Sequence, residues 1–377
     1  MKKLIIIFFI CIFIIQVKAE NDLLPNAKSG ILIEPTTKTI IYEKNAYDEV
    51  SIASLTKMMG LILIFEKIDN GDIHYDDIVT ISKNAQDMGG SQIWLEAGEE
   101  MSVEDLIKGI IMASANDGIV AMAEYIGGSE ENFVKMMNDK AKTLGLRNTH
   151  FVNPTGLDEK GHYSSSYDVA MIATELMKHS DVFKFTTLYE DYLRKNTDRK
   201  FWLVNTNKLI KSYKGADGLK TGMTDNAGYC MAVTAKRGEL RLLAVVLGEK
   251  EGKIRNQETM ELLDYGFNNY AVEKIKNQGD IITSVTFDKS TPNKINAIIE
   301  NDVFILQKKG EKKEKISSEI KLNNIKLPVK KGEVIGKLLI KNSSINQEVN
   351  LISDENMSKI SFFKLWSNIL FSMLIGN

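Results

Sequence analysis

The chain has 377 residues, with 48 Lys and Arg against 50 Asp and Glu, for a formal net charge of -2. That length suits two domains with full cores, and the balanced charge gives no reason to expect a nucleic-acid partner. It has two cysteines and no C-x-x-C or H-E-x-x-H pattern, so neither a metal nor another cofactor is expected.

At the N-terminus, Lys2 and Lys3 precede an apolar run from Leu4 to Val17, and Val17-Lys18-Ala19 offers small residues at the positions a signal peptidase reads. The run is shorter than the ~20 residues of a membrane span, so residues 1–19 are expected to be a cleaved secretory signal. Cys11 leaves with it, and Cys230 is expected to be a small buried strand residue in a mature chain without an internal disulfide. Residues 30–34 and 39–43 are β-rich and flank Pro35-Thr36-Thr37-Lys38, a hairpin pattern.

A helix entered at Ala53-Ser54-Leu55-Thr56-Lys57 would put Ser54 in its first turn and Lys57 on the same face one turn on. A serine hydroxyl is a poor nucleophile until a base takes its proton, and a lysine desolvated by the following apolar run is such a base. The spacing alone is weak, because Ser318 with Lys321 and Ser361 with Lys364 share it.

Residues 70–98, broken by Gly71, Gly89, Gly90 and Gly98, read as loops around a site rim. Helices are expected over 103–112, from near Asp117 to the stop at Gly127-Gly128, over 133–144, and over 167–177 with Ser166 as a cap. Ser114-Ala115-Asn116 stands just before the second of these. Further on, Lys220-Thr221-Gly222 sits in a strand, residues 229–235 and 240–248 form buried antiparallel neighbours, and 260–270 forms a helix. Strands at both ends of residues 28–270 thus enclose a helical middle, an α/β arrangement in which an antiparallel sheet is flanked by helices. Short β-like runs over 273–352 predict a small all-β domain. Residues 356–377 carry Phe, Trp, Leu and Ile around a narrow polar strip of Ser361, Lys364, Asn368 and Ser372, as in a helix lying on a membrane surface.

The patterns Ser54-x-x-Lys57, Ser114-Ala115-Asn116 and Lys220-Thr221-Gly222, in that order, resemble those of the penicillin-recognising serine enzymes. The flanks at 53–59, 113–117, 153–158 and 217–222, with His162-Tyr163-Ser164 and Tyr167-Asp168, are similar to the low-molecular-mass D-alanyl-D-alanine carboxypeptidases over roughly residues 25–350. The resemblance implies a β-lactamase/transpeptidase-like catalytic domain at 25–272, with a helical subdomain, held at the extracytoplasmic face of the membrane by the C-terminal helix. It also implies that Ser54 attacks a peptidoglycan stem peptide ending in D-Ala-D-Ala, or a β-lactam, while Lys57 takes its proton and Ser114 relays one to the leaving amine. Asn116 would hold the substrate amide, Lys220 and Thr221 its carboxylate, and the backbone N–H groups of Ser54 and Met223 the oxyanion. Gly222 would give the substrate close access to the strand edge. The alternatives are a β-lactamase, for which Asp158 and Glu159 are the nearest candidates to a deacylating acid, and a non-catalytic cell-wall binding protein.

Overall fold

The computed structural model describes residues 22–288, 290–312, 315–341, 346–361 and 366. The expected signal peptide and nearly all of the expected C-terminal anchor lie outside the described residues. Among the described residues no helix is long and apolar enough to cross a membrane.

Five antiparallel strands form the central sheet: β1 (Ser29–Glu34), β2 (Thr39–Lys44), β3 (Ala216–Thr224), β4 (Gly228–Arg237) and β5 (Leu240–Glu249). Their order is β2-β1-β5-β4-β3, so the N-terminal hairpin pairs with a strand from beyond residue 240, and β3 is left at an edge. Side chains alternate between two buried faces, as the period of two requires. Ile31 and Ile33 of β1 and Leu243, Val245 and Leu247 of β5 join one core. Leu32 of β1 and Leu242, Ala244 and Val246 of β5 join another, on the opposite face. This double burial explains why β4 and β5 read as nearly continuous apolar runs.

Six longer helices among the described residues pack in this half, besides three short ones: α1 (Lys57–Asp69), α2 (Val103–Met112), α3 (Asn116–Gly127), α4 (Glu130–Thr143), α5 (Ser166–Leu176) and α6 (Gly252–Asn269). The first five share a core with one face of the sheet, while Leu262, Leu263 and Phe267 of α6 cover the other. Three of these helix starts differ from the sequence expectation. α4 opens at Glu130 rather than 133, with Ser129 as its cap. Ser165 caps α5, accepting the Asp168 N–H at 3.1 Å from an extended backbone, while Ser166 turns inward to Ser29 at 2.8 Å. α6 starts at Gly252 rather than near 260, because its buried stripe opens with Arg255, Glu258 and Thr259, which hide the apolar period.

Past α6 the chain is all β. Tyr270–Lys276 pairs with Val303–Lys308, and a five-stranded sheet runs in the order Ile281–Thr286, Lys294–Ile299, Asn346–Ser353, Val334–Lys341, Ser317–Leu322. Its own core includes Ile295, Ile299, Leu338, Ile340 and Leu351, while Leu306 packs into the core beneath α6.

Candidate active site

Ser54 lies in a 3-10 turn, Ala53–Thr56, that runs directly into α1, so the expected α-helical first turn is wound more tightly and Lys57 is the first α-helical residue. A 3-10 turn holds three residues, so side chains at i and i+3 eclipse. The Lys57 Nζ and Ser54 Oγ lie within hydrogen-bond distance, at 2.8 Å. The turn is braced from behind by Gly156: a Cβ there would stand 1.9 Å from the Ala53 carbonyl oxygen, and its φ of +80° is one that only glycine adopts freely.

Lys57 is fully buried, and its Nζ also donates to Asn116 Oδ1 and to the Thr155 carbonyl, each at 2.6 Å. The Asn116 amide is oriented by its own Nδ2 donating to the Gly89 carbonyl at 2.6 Å. Burial first, then the Lys220 charge, push the Lys57 amine well below its ordinary value, while Asp117 pulls it partly back. A neutral amine has two N–H donors and one lone pair. Asn116 Oδ1 and the Thr155 carbonyl can only accept, so they take the two donors and the lone pair is left facing the Ser54 hydroxyl.

The next links run through α3 and the segment before it. Ser114 adopts a left-handed backbone (φ 63°) where the chain turns from α2 into α3. The Asn116 N–H donates to the Ser91 carbonyl at 2.7 Å. The buried Asp117 carboxylate accepts the backbone N–H groups of Ile93, Leu95 and Gly118 at 2.9–3.2 Å, which ties residues 91–95 to the start of α3.

β3 forms the opposite wall. A Cβ on Gly222 would stand 2.9 Å from the Ser54 nitrogen, so the missing side chain is what lets the strand pass beside Ser54. Lys220 is buried, and burial followed by the Arg255 charge lowers its amine to about 7. Its Nζ donates to the Thr221 carbonyl at 2.9 Å, and no hydrogen bond links it to Ser114 among the described residues. The Thr221 hydroxyl reaches Thr206 at 2.8 Å, and the Met223 side chain is exposed. Cys230, opposite Gly222 in register, is buried, and its thiol is pushed up to about 11, as expected of an inert strand residue.

Several partners escaped the motif-based reading. His162, outside all three motifs, binds the Thr56 hydroxyl between Ser54 and Lys57 at 2.8 Å and accepts the Val152 N–H on Nδ1, so Nε2 carries the proton. Thr155, Gly89 and Thr206 act through carbonyl or hydroxyl contacts that no spacing advertises. Of the two acids weighed for deacylation, Asp158 accepts from Thr224 and the Asn226 N–H, and Glu159 accepts from Asn153.

Comparison with known proteins agrees with this geometry. Residues 16–251 match the family model for D-alanyl-D-alanine carboxypeptidase, and residues 270–359 match that for the penicillin-binding protein 5 C-terminal domain. The D-alanyl-D-alanine carboxypeptidase DacF of Bacillus subtilis is 47% identical over 92% of this chain and 89% of its own. Penicillin binding protein 5 from Haemophilus influenzae superposes with a TM-score of 0.72 at 31% identity, covering 89% of this chain and 98% of that one. Penicillin-binding protein D2 from Listeria monocytogenes, solved in its ampicillin-bound form, superposes with a TM-score of 0.58 at 32% identity over 64% of this chain and 97% of that one. The chain belongs to the D-alanyl-D-alanine carboxypeptidase family of serine peptidases, with a penicillin-binding protein 5 type C-terminal domain.

Proposed function

We propose that the protein removes the terminal D-alanine from peptidoglycan stem peptides through an acyl-enzyme on Ser54, and that β-lactams acylate the same hydroxyl. The observation that carries this reading is the Lys57 amine, buried and held by two obligate acceptors with its third position toward Ser54. Lys57 takes the Ser54 proton, the alkoxide attacks the carbonyl between the two D-alanines, and the backbone N–H groups of Ser54 and Met223 receive the developing oxyanion. Ser114 passes a proton to the departing amine. Asn116 meets the substrate backbone amide, and Lys220 and Thr221 meet its carboxylate at the β3 edge, where Gly222 keeps the approach open. Water then releases the shortened peptide.

The catalytic unit spans 25–272 and the β domain 273–352. The mature chain acts outside the cytoplasm after loss of residues 1–19, held to the membrane surface by residues 356–377; the two lysines before the N-terminal apolar run and the aromatic-rich C-terminal stretch support that placement.

The test is incubation with a fluorescent penicillin and with a peptide ending in D-Ala-D-Ala, beside the Ser54→Ala variant. A Ser54-dependent, long-lived adduct together with D-alanine release is expected. Rapid penicillin turnover without D-alanine release would make the protein a β-lactamase, and no adduct at all would leave a binding protein.

A further inference from the structure

Six non-glycine residues adopt a left-handed backbone among the described residues: Lys38, Asn45, Ala53, Trp94, Ser114 and Arg194. Ala53 and Ser114 belong to the site, and Lys38 and Asn45 sit in turns. Trp94 stands apart. At φ 58° a bulky side chain is strained against its own backbone, and with 65% of the residue exposed little packing offsets that strain.

The conformation is imposed from both sides. The N–H groups of Ile93 and Leu95 are held by the buried Asp117 carboxylate. The carbonyls of Ile93 and Trp94 accept from Arg194 at 3.0 and 3.2 Å, and Arg199 donates to the Trp94 carbonyl at 3.2 Å. Arg194, itself left-handed, is anchored by Glu99. With Ile93 and Leu95 buried in the core, the indole between them is left in solvent, in the segment whose Ser91 carbonyl holds the Asn116 N–H. Leu157, which lies beside Gly90, is another exposed apolar side chain there.

We propose that Trp94 is a specificity residue whose indole contacts the sugar-linked part of the stem peptide, on the amino-terminal side of the bond that is cut. The proposal rests on the Ser54 reading above. With the substrate carboxylate at Lys220 and Thr221 and its amide at Asn116, the remainder of the chain would lead past Asn116 toward Gly89 and Ser91, whose carbonyls hold the Asn116 amide and N–H, three residues before Trp94. An indole there offers a flat face to the C–H surface of a sugar ring or to an alkylammonium side chain. Binding energy won so far from the reacting carbonyl discriminates whole substrate from fragment.

The full chain and its Trp94→Ala and Trp94→Phe variants are assayed on N-acetyl-D-alanyl-D-alanine, on a disaccharide pentapeptide and with fluorescent penicillin. Trp94→Ala is expected to lose about tenfold in kcat/KM on the disaccharide pentapeptide only, while the dipeptide rate and penicillin acylation stay within about twofold and Trp94→Phe keeps most of the preference. Equal loss on both substrates, or none on either, would overturn the proposal while leaving Ser54 catalysis standing. A wild-type chain that neither takes penicillin nor releases D-alanine would remove the Ser54 reading instead. Trp94→Gly, which relieves the backbone strain, should lose the same preference yet melt about 2 °C higher; a lower melting temperature would make the indole a structural side chain.

Discussion

Two buried lysines with depressed basicity stand at the centre of this site, and they have different duties. On the proposed mechanism Lys57 acts as the base, so its neutral form is the working one. On the same proposal Lys220 would hold the substrate carboxylate, so its charged form is the working one, and with its amine lowered to about 7 that form is lost as pH rises. We expect kcat/KM for D-alanine release to fall above about pH 7, and Lys220→Arg to extend the plateau toward higher pH, as a rate profile from pH 5 to 10 would read. The linkage runs the other way for stability: the unfolded lysine keeps its proton beyond pH 7, so the penalty for burying Lys220 fades as pH rises toward the ordinary lysine value. His162 gives a separate test. Burial lowers it to about 4, so it folds neutral while the unfolded imidazole takes a proton below about 6.5. Its contribution is complete above that value and declines as pH falls toward 4. His162→Gln should therefore flatten the acid limb of the melting profile while costing about 1–3 kcal/mol at pH 7 through the Thr56 and Val152 groups left without a partner. Ser54, Lys57 and Asn116 were legible because local spacing advertises them. His162 stood out only in a flank shared with the family; its bond to Thr56 did not, since the two lie 106 residues apart and nothing in a short window reports such a pair.

At the scale of elements, the site is assembled where a tight turn meets a sheet edge. The strands themselves and the antiparallel pairing of β4 with β5 were readable from apolar runs, and the hairpin and the Lys220 strand lie where the sequence put them. What stayed hidden was the manner of approach: a 3-10 turn rather than an α-helical one, and a glycine whose absent side chain sets the gap to the Ser54 nitrogen. Gly222→Ala should therefore fold but push β3 away from the turn, cutting the rate of penicillin acylation by about 100-fold or more, as expected when an oxyanion donor moves out of place. Stopped-flow labelling of the variant would measure it, and a wild-type rate would show that the turn can yield by the few tenths of an ångström required.

Over the whole molecule, two separately packed regions share one chain: the helical periodicity ends with α6 at Asn269 and an all-β region follows from Tyr270. Their cores are distinct, joined where Leu306 enters the hydrophobic layer under α6. Calorimetry should accordingly resolve two transitions, and saturation of Ser54 with penicillin should raise one of them and leave the other in place, because ligand linkage acts only on the unit that holds the adduct. The central sheet adds a constraint of timing. Its inner pair joins β1 to β5, from Ser29 against Leu247 to Ile33 against Leu243, so most of the helical middle lies between the partners. On the proposed export, a chain threaded amino terminus first across a membrane would have no finished Ser54 pocket until its fifth strand had emerged, and the enzyme would become competent only after crossing.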